Sequence, residues 1–342
     1  PEFGAETSDL VYFISWGYSS RYGATHELSA LAQVLRRDFG LDLVPLLTFA
    51  DRDVEDPADE EALELAWQDA APLADFLDPL PRHLDPYHFE RMVQTRDITV
   101  EWDCNWKASV DAFNESYHVQ GIHPQLLWYL HDLDIQIDCY ERHSRYLIPF
   151  ATLSPRVRKP PAIPDSIKAI MKSAGIDPVD YDAPIANIRR DVQVGKRAAG
   201  PAQGRDYSEL NDDQLTDDYH YTIFPNLSLN LHADDFWVFR QRPHATDPNK
   251  MYYDIWTYEL VPQGQEWPQR AKHQCWKHGD KSIGLVLDQD AANLPNVQAG
   301  MHSRGFRGLW LGRQELRIRH FHKEIDDYLF PPGTQRGTWG LG

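Results

Sequence analysis

The chain has 342 residues, of which 42% are hydrophobic and 12% aromatic, and this composition suffices for the core of one large globular domain or two smaller ones. Its formal net charge of −18 argues against nucleic acid or an anionic membrane as a partner, because both are polyanions that favour Lys and Arg. No apolar run approaches the roughly 20 residues of a membrane span and no charged-then-apolar leader opens the chain, so we expect a cytoplasmic protein.

The first 64 residues are predicted to form a segment of their own. Residues 1–4, Pro-Glu-Phe-Gly, resemble a cloning scar and are left out of the fold prediction. Residues 9–50 follow strand, helix and strand patterns, which are typical of a βαβ unit. Eight acidic residues between Asp51 and Glu64 then indicate a solvated linker. Residues 5–64 are therefore assigned to a small α/β segment and linker of unclear role.

A helical pattern and two histidines coincide between residues 101 and 124. The apolar positions recur as on a helix seated on a core, at Trp106, Val110, Phe113 and Tyr117. A second stripe carries Asp111, Glu115 and His118. We expect Gly121 to break the helix and let His123 fold back towards His118, because residues five apart on an unbroken helix point about 140° apart. Glu115 could hold the His118 ring through its second nitrogen.

Downstream, the pattern predicts an antiparallel meander followed by a helix. Residues 97–103 and 146–153 read as strands, and three alternating segments follow between residues 218 and 260. Between them, residues 155–211 are predicted to be largely irregular apart from a short helix at 165–174, as in a lid or an inert surface insertion. His220 and His232 could line a pocket, although we favour half-buried strand residues without chemistry. The run from Gln314 onwards predicts a final helix whose histidines, His320 and His322, are poor metal ligands.

The residues around the two histidines resemble the mononuclear-iron motif of the Rieske non-heme iron oxygenases, the alpha subunits of aromatic ring-hydroxylating dioxygenases. That motif reads N-W-K, E-N-F and D/E-x-Y-H-x4-H, and the matching strings here are Asn105-Trp106-Lys107, Asp111-Ala112-Phe113, Glu115-Ser-Tyr-His118 and His123. Ala112 departs from the pattern, since the family has Asn at this position.

A third ligand is sought in the segment Leu285 to Gly305, because two histidines and one carboxylate leave three metal positions open for oxygen and substrate. Its string Asp288-Gln-Asp290, with Gln298 and Gly300 downstream, resembles the E-Q-D string of the family. The resemblance makes Asp290 the ligand and puts Asp288 at the usual Glu position. The alternative is that either Asp caps the following helix.

The resemblance covers about residues 65–330. It implies an α+β helix-grip fold, an antiparallel sheet with C-terminal helices, with a catalytic domain at 65–335 and a variable lid-like insertion at 155–211. It further implies Fe(II) bound by His118, His123 and Asp290, with Glu115 and Asp111 as catalytic residues. Oxygen and an apolar, aromatic substrate would meet at this iron and undergo hydroxylation or dioxygenation. In the family the acid at the position of Glu115 bridges to a neighbouring subunit of a trimer, so a homotrimer is a further implication.

The spacing of the cysteines indicates whether this chain can bind a Rieske cluster, the group that would supply electrons to the iron. Cys104, Cys139 and Cys275 are scattered, and a Rieske cluster needs two Cys and two His, which the family supplies as C-x-H and C-x-x-H. The chain has no C-x-H string, and Cys275-Trp-Lys-His278 stands alone. We expect no [2Fe-2S] cluster in this chain, and electrons from a separate Rieske protein or a reductase. The alternatives are a non-redox metal-dependent hydrolase with zinc in the same ligands, or a ligand-binding module.

Overall fold

The structure, a computed structural model, describes residues 73–158, 160 and 162–330. The predicted α/β segment and acidic linker at residues 5–64 lie outside these residues, as do residues 1–4. The chain divides into two compact units, one of residues 1–84 and 323–339 and the other of residues 85–322 and 340–342. The described part of the first unit contains two short helices, α1 (Leu73–Phe76) and α2 (Leu80–Leu84), and the end of the final helix.

The second unit is built on an eight-stranded sheet in the order β2-β3-β4-β5-β6-β7-β1-β8. Its strands are β1 (Met92–Trp102), β2 (Gln136–Cys139), β3 (Ser144–Ile148), β4 (Asp218–Ile223), β5 (Leu227–Leu231), β6 (Asp235–Pro243), β7 (Met251–Leu260) and β8 (Gln274–Lys277). Neighbouring strands are antiparallel except β1 and β8, which are parallel. The predicted meander is confirmed, with its first segment divided into β4 and β5 around a turn.

Six helices accompany the sheet in the described residues beyond position 84. They are α3 (Trp106–Ala112), α4 (Val119–Ile122), α5 (Asp165–Ser173), α6 (Ile188–Ala199), α7 (Leu285–Met301) and α8 (Leu316–Leu329). The fold is therefore the predicted α+β class, a sheet with C-terminal helices. No helix in the described part of the chain is long and apolar enough to cross a membrane.

The main core lies between helix α7 and the half of the sheet formed by β1, β6 and β7. Alternation along β1 places Ile98, Val100 and Trp102 on one face, where all three are buried. The helix contributes Leu287 and Leu294 to the same cluster. Because this packing seats α7 on the sheet, it also fixes the direction of the polar side chains on the remaining faces of the helix.

Two local predictions were wrong. Helix α3 ends at Ala112, so the break comes before His118, while Gly121 lies inside the short helix α4. Tyr117, predicted to be on the core stripe, is 55% exposed as a result. The segment 155–211 is also less irregular than predicted, because it contains helix α6 in addition to the predicted α5, and the two helices pack through a buried cluster that includes Met171 and Val192.

Candidate metal centre

The turn after helix α3 sets the first histidine. Asn105 caps the helix by accepting a hydrogen bond from the backbone N–H of Lys107, and its own N–H donates to Gln298 of α7. The helix ends at Ala112, and the side chain of Glu115 in the following turn contacts His118. Its two carboxylate oxygens accept from the His118 backbone N–H at 2.9 Å and contact Nδ1 of the ring at 2.5 Å. The ring is thereby held with Nε2 free to face a metal.

The second histidine follows helix α4 and is held by an amide. His123 is 2% exposed, and its Nδ1 lies 2.9 Å from Oε1 of Gln289. That amide is itself oriented, because Oε1 also accepts from Nε2 of Gln125 at 2.6 Å. Since an amide oxygen only accepts, Nδ1 of His123 donates and Nε2 is the nitrogen available to a metal.

The carboxylate comes from helix α7. Asp290 is buried, and its Oδ1 lies 2.9 Å from Nε2 of His123 and 3.8 Å from Nε2 of His118. Asp288, two residues earlier, instead accepts from the Ser282 hydroxyl and the Ile283 N–H, which closes the start of the helix. Of the two aspartates, Asp288 therefore bonds the residues just before the helix and Asp290 faces the histidines.

Together, His118, His123 and Asp290 form a group whose potential ligand atoms lie within 4.8 Å of one another. The two imidazole rings are 5.1 Å apart between centroids and nearly perpendicular, at 75°. Burial lowers the pKa of His118, but the hydrogen bond and charge of Glu115 and the charge of Asp290 outweigh it, so the net pKa is raised. Two imidazoles and one carboxylate are the donor set of non-heme Fe(II) sites, so the residues present fit this metal.

Asp111 lies elsewhere. Its carboxylate accepts from Nε2 of His322 at 2.9 and 3.0 Å, which ties helix α3 to helix α8. Burial raises the pKa of Asp111. The predicted catalytic role of Asp111 stays a prediction, and any effect on the metal centre would pass through helix α3. Ala112, at the position of the usual Asn, lines the cavity beside the centre.

A cavity of about 1000 Å³ opens from the three candidate ligands. Much of its wall is aromatic, from Phe113, Tyr129, Tyr146, Phe150, Trp237 and Phe239. Helix α5 contributes Ala169 and Ile170, so part of the predicted insertion faces the site. His220 and His232 also line the cavity, His220 buried and His232 half-buried, and the absence of a chemical role that we favour for them stays a prediction.

Gln289 and Gln125 were not singled out from the sequence. Gln289 is next to the candidate ligand Asp290 in the sequence, and this position could have suggested a role at the metal centre. Its hydrogen-bond partner His123 is 166 positions away, however, and a local sequence pattern cannot predict a contact over that distance.

Comparisons with solved structures give several alignments to this chain. A quaternary ammonium Rieske monooxygenase, CntA, aligns with 13% identity and a TM-score of 0.47 over 76% of this chain and 57% of that chain. A naphthalene 1,2-dioxygenase with indole bound in the active site aligns with 14% identity and a TM-score of 0.46, over 77% and 61% of the two chains. The Rhodococcus sp. naphthalene 1,2-dioxygenase bound to indole gives 17% identity and a TM-score of 0.41, over 77% and 62%.

The chain thus spans about 60% of the length of these structures. No curated protein matches it. The assignment rests instead on a family model, that of the ring hydroxylating alpha subunit (catalytic domain), which matches residues 89–330, more than half of the chain. The chain belongs to this family of Rieske oxygenase alpha subunits.

Proposed function

We propose that this chain carries the mononuclear Fe(II) centre of an oxygenase, with His118, His123 and Asp290 as the metal ligands. The observation that supports this most directly is the convergence of these three side chains, from the turn after α3, from the end of α4 and from α7, on one point of the cavity wall. When bound, Fe(II) in such a site supplies the redox chemistry that activates O2.

The surrounding residues prepare the ligands. Glu115 fixes the His118 ring through Nδ1, and Gln289 does the same for His123. Each contact directs Nε2 towards Asp290, which lowers the entropic cost of assembling the site. Gln125 orients the Gln289 amide and so acts one step further from the metal.

The cavity wall supports an apolar ring as the reacting part of the substrate. Phe113, Trp237 and Phe239 face the same space as the candidate ligands. Burying an aromatic ring against such a wall is favourable and excludes water from the site. The proposed reaction is hydroxylation or dioxygenation of this ring by O2, at an iron that His118, His123 and Asp290 would hold.

Oxygenation of this kind needs two electrons. We propose that they come from another protein or domain, a Rieske protein or a reductase, and that the catalytic domain comprises residues 65–335 with 155–211 as a lid-like insertion. A homotrimer, with Glu115 near the neighbouring subunit, completes the proposal. The family assignment does not favour the alternatives of a zinc hydrolase or a ligand-binding module.

Metal analysis tests the proposal. Protein purified without oxygen should contain about one iron per chain, and His118→Ala should lose it. His273→Ala is a matched control, because this histidine is exposed and contacts Asp97 on the sheet. Substrate-dependent oxygen uptake, measured with an added reductase and Rieske protein, then tests the activity. Zinc in place of iron, or iron retained by the His118 variant, would contradict the assignment.

A further inference from the structure

The loop between helices α7 and α8 holds large apolar side chains in water. Every residue from His302 to Trp310 is exposed. Trp310 is 96% exposed, and Phe306 and Leu309 are 38% and 45% exposed. Clusters of exposed apolar side chains on a soluble protein mark interaction sites. Residues 302–313 thus form a candidate docking surface.

The same loop is basic, although the chain as a whole is acidic. It carries Arg304, Arg307 and Arg313 and no acidic residue, while the formal net charge of the chain is −18. The nearest acid in the sequence is Glu315, whose carboxylate accepts a backbone N–H of the loop. Arg and Trp are among the residue types that contribute most to binding energy at protein interfaces. This basic loop, residues 302–313, is therefore suited to a protein partner with an acidic surface.

A second exposed apolar site lies in the turn that follows helix α5. Val179 is 88% exposed and stands between the exposed Asp177 and Asp180. Asp177 shapes this acidic turn, residues 177–182, by accepting a hydrogen bond from the Val179 N–H at 2.9 Å. Beside the turn is an open cavity of about 640 Å³, lined by Lys168, Lys172, Gly175, Ile176, Asp177, Pro178 and Val179. Cavities of about 300–1000 Å³ hold drug-sized molecules, so this one has room for an indole ring.

The charges around the acidic turn are negative in sum. Lys168 and Lys172 line the open cavity, and Lys168 pairs with Asp165 at 2.8 Å. Opposed to the two lysines are four aspartates, Asp165, Asp177, Asp180 and Asp182. The neighbouring Arg190 and Asp191 pair with each other at 3.1 Å and cancel. The turn with helix α5 therefore has two more negative than positive charges, whereas the basic loop with its neighbouring glutamate has two more positive than negative ones.

The two surfaces do not meet within one chain, because Trp310 and Val179 are both almost fully exposed. We propose that the basic loop of one copy docks on the acidic turn of a second copy of this chain. Trp310 fills the open cavity beside Val179, and the arginines of the loop lie against the aspartates of the turn. Burial of the indole ring supplies the favourable free energy, and the opposite charges set the orientation.

The contact joins two different surfaces of the chain and is therefore heterologous. Contacts of this type generate closed rings when the rotation between copies closes. The inference thus gives a contact surface to the homotrimer of the proposed function, and it rests on that proposal only for the number of copies. Helix α5 links the contact to the cavity beside the metal centre, since Ala169 and Ile170 line that cavity while Lys168 and Lys172 line the open one. A docked copy would therefore hold one wall of the substrate cavity in place.

Sedimentation velocity of the full chain at several concentrations tests the proposal. The wild type should sediment as an oligomer. Trp310→Ala and Val179→Asp should each weaken the association about 30-fold or more, as expected when a central interface contact is removed. Trp267→Ala is the matched control, because Trp267 is also exposed, at 58%, but lies outside both surfaces. Circular dichroism and thermal unfolding show whether each variant is folded.

Charge reversal tests the pairing of the two surfaces. Arg304→Glu combined with Arg307→Glu should disperse the oligomer, and so should Asp180→Lys combined with Asp182→Lys. All four substitutions together should restore the association, because the charges of the two surfaces are again opposite. Glu266→Lys, at an exposed position outside both surfaces, should have no effect.

Three outcomes would overturn the proposal. The wild type stays monomeric at every concentration, which leaves the basic loop to a different partner; the oligomer persists unchanged in folded Trp310→Ala protein; or the folded fourfold variant stays dispersed. Failure of the proposed function gives a different result, which is absent iron or absent oxygen uptake. Because sedimentation is measured on metal-free protein as well, the association is observed independently of both.

Discussion

Glu115 offers the sharpest test of how the metal centre is held. Its two oxygens accept two N–H groups at once, the backbone N–H of His118 and the Nδ1–H of the same ring. In Glu115→Gln the side chain keeps its shape but has a single oxygen. One of the two donors of His118 must therefore face an NH2 group, which cannot accept.

The size of the effect follows from this geometry. Glu115 is 8% exposed, so water does not readily replace the lost acceptor. A buried donor left unpaired costs about 1–3 kcal/mol, and loss of the group that orients a ligand histidine typically reduces metal affinity about 10- to 100-fold. We expect a weakening of Fe(II) binding in this range, with the fold intact.

The assay is competition for Fe(II) against a colorimetric chelator in the absence of oxygen. Glu141→Gln is a suitable control, because Glu141 is 74% exposed and forms an ion pair with the neighbouring Arg142. Iron affinity equal to wild type in Glu115→Gln, with His118→Ala still losing the metal, would refute the view that Glu115 orients a ligand.

Three further predictions follow from the same structure. Gln289→Leu should weaken Fe(II) binding by about tenfold or more in the chelator competition, because His123 loses the acceptor that orients it. Asp254→Asn should lower the free energy of unfolding by about 3–5 kcal/mol in a denaturant titration, since the buried Asp254 is the shared partner of Arg240 and Arg242. The two arginines also lower the pKa of Asp254 to about 2 despite its burial, so its contribution to stability is present above the ordinary value of 3.8 and is lost as the pH falls from about 4 towards 2. In a double-mutant cycle, Asp111→Asn and His322→Gln should show a coupling energy of about 0.5–3 kcal/mol with iron content unchanged, because the two side chains bond each other across helices α3 and α8.

Most of the strands and helices that were predicted correctly were predicted from local periodicity. The alternation of the sheet strands and the apolar faces of α5 and α8 are short-range patterns, and the structure contains these elements close to their predicted bounds. The motif that supplied His118, His123 and Asp290 came from a resemblance, and the structure brings these residues within 4.8 Å of one another. Spacing alone could not have paired a histidine with a residue 167 positions away.

Helix α6 shows why the rest was missed. Its sequence is mostly polar, and its buried positions include Gln193 and Lys196 besides Ile188 and Val192, although the apolar residues share one helical face. Gly195 lowers the helical signal further, since glycine disfavours helix interiors. In the structure the glycine is needed because a Cβ at this position would lie 2.6 Å from the carbonyl oxygen of Ala174, at the end of α5. The close packing of α6 against the end of α5 therefore explains why position 195 is a glycine, and helix propensity cannot predict this long-range contact.

Long-range packing also explains why the sequence could not show whether His220 lines the cavity. Alternation predicts that His220 and Asp218 share a face of β4, but it cannot tell whether that face is packed or open. Helix α7 packs on β1, β6 and β7, with Leu287 in the shared core. The cavity lies beside this core, lined by residues of β3, β4, β5 and β6 and by Asp290 of α7. Helix α7 thus belongs both to the core, through Leu287, and to the candidate metal centre, through Asp290, and this double contact is long-range information that a strand's alternation does not contain.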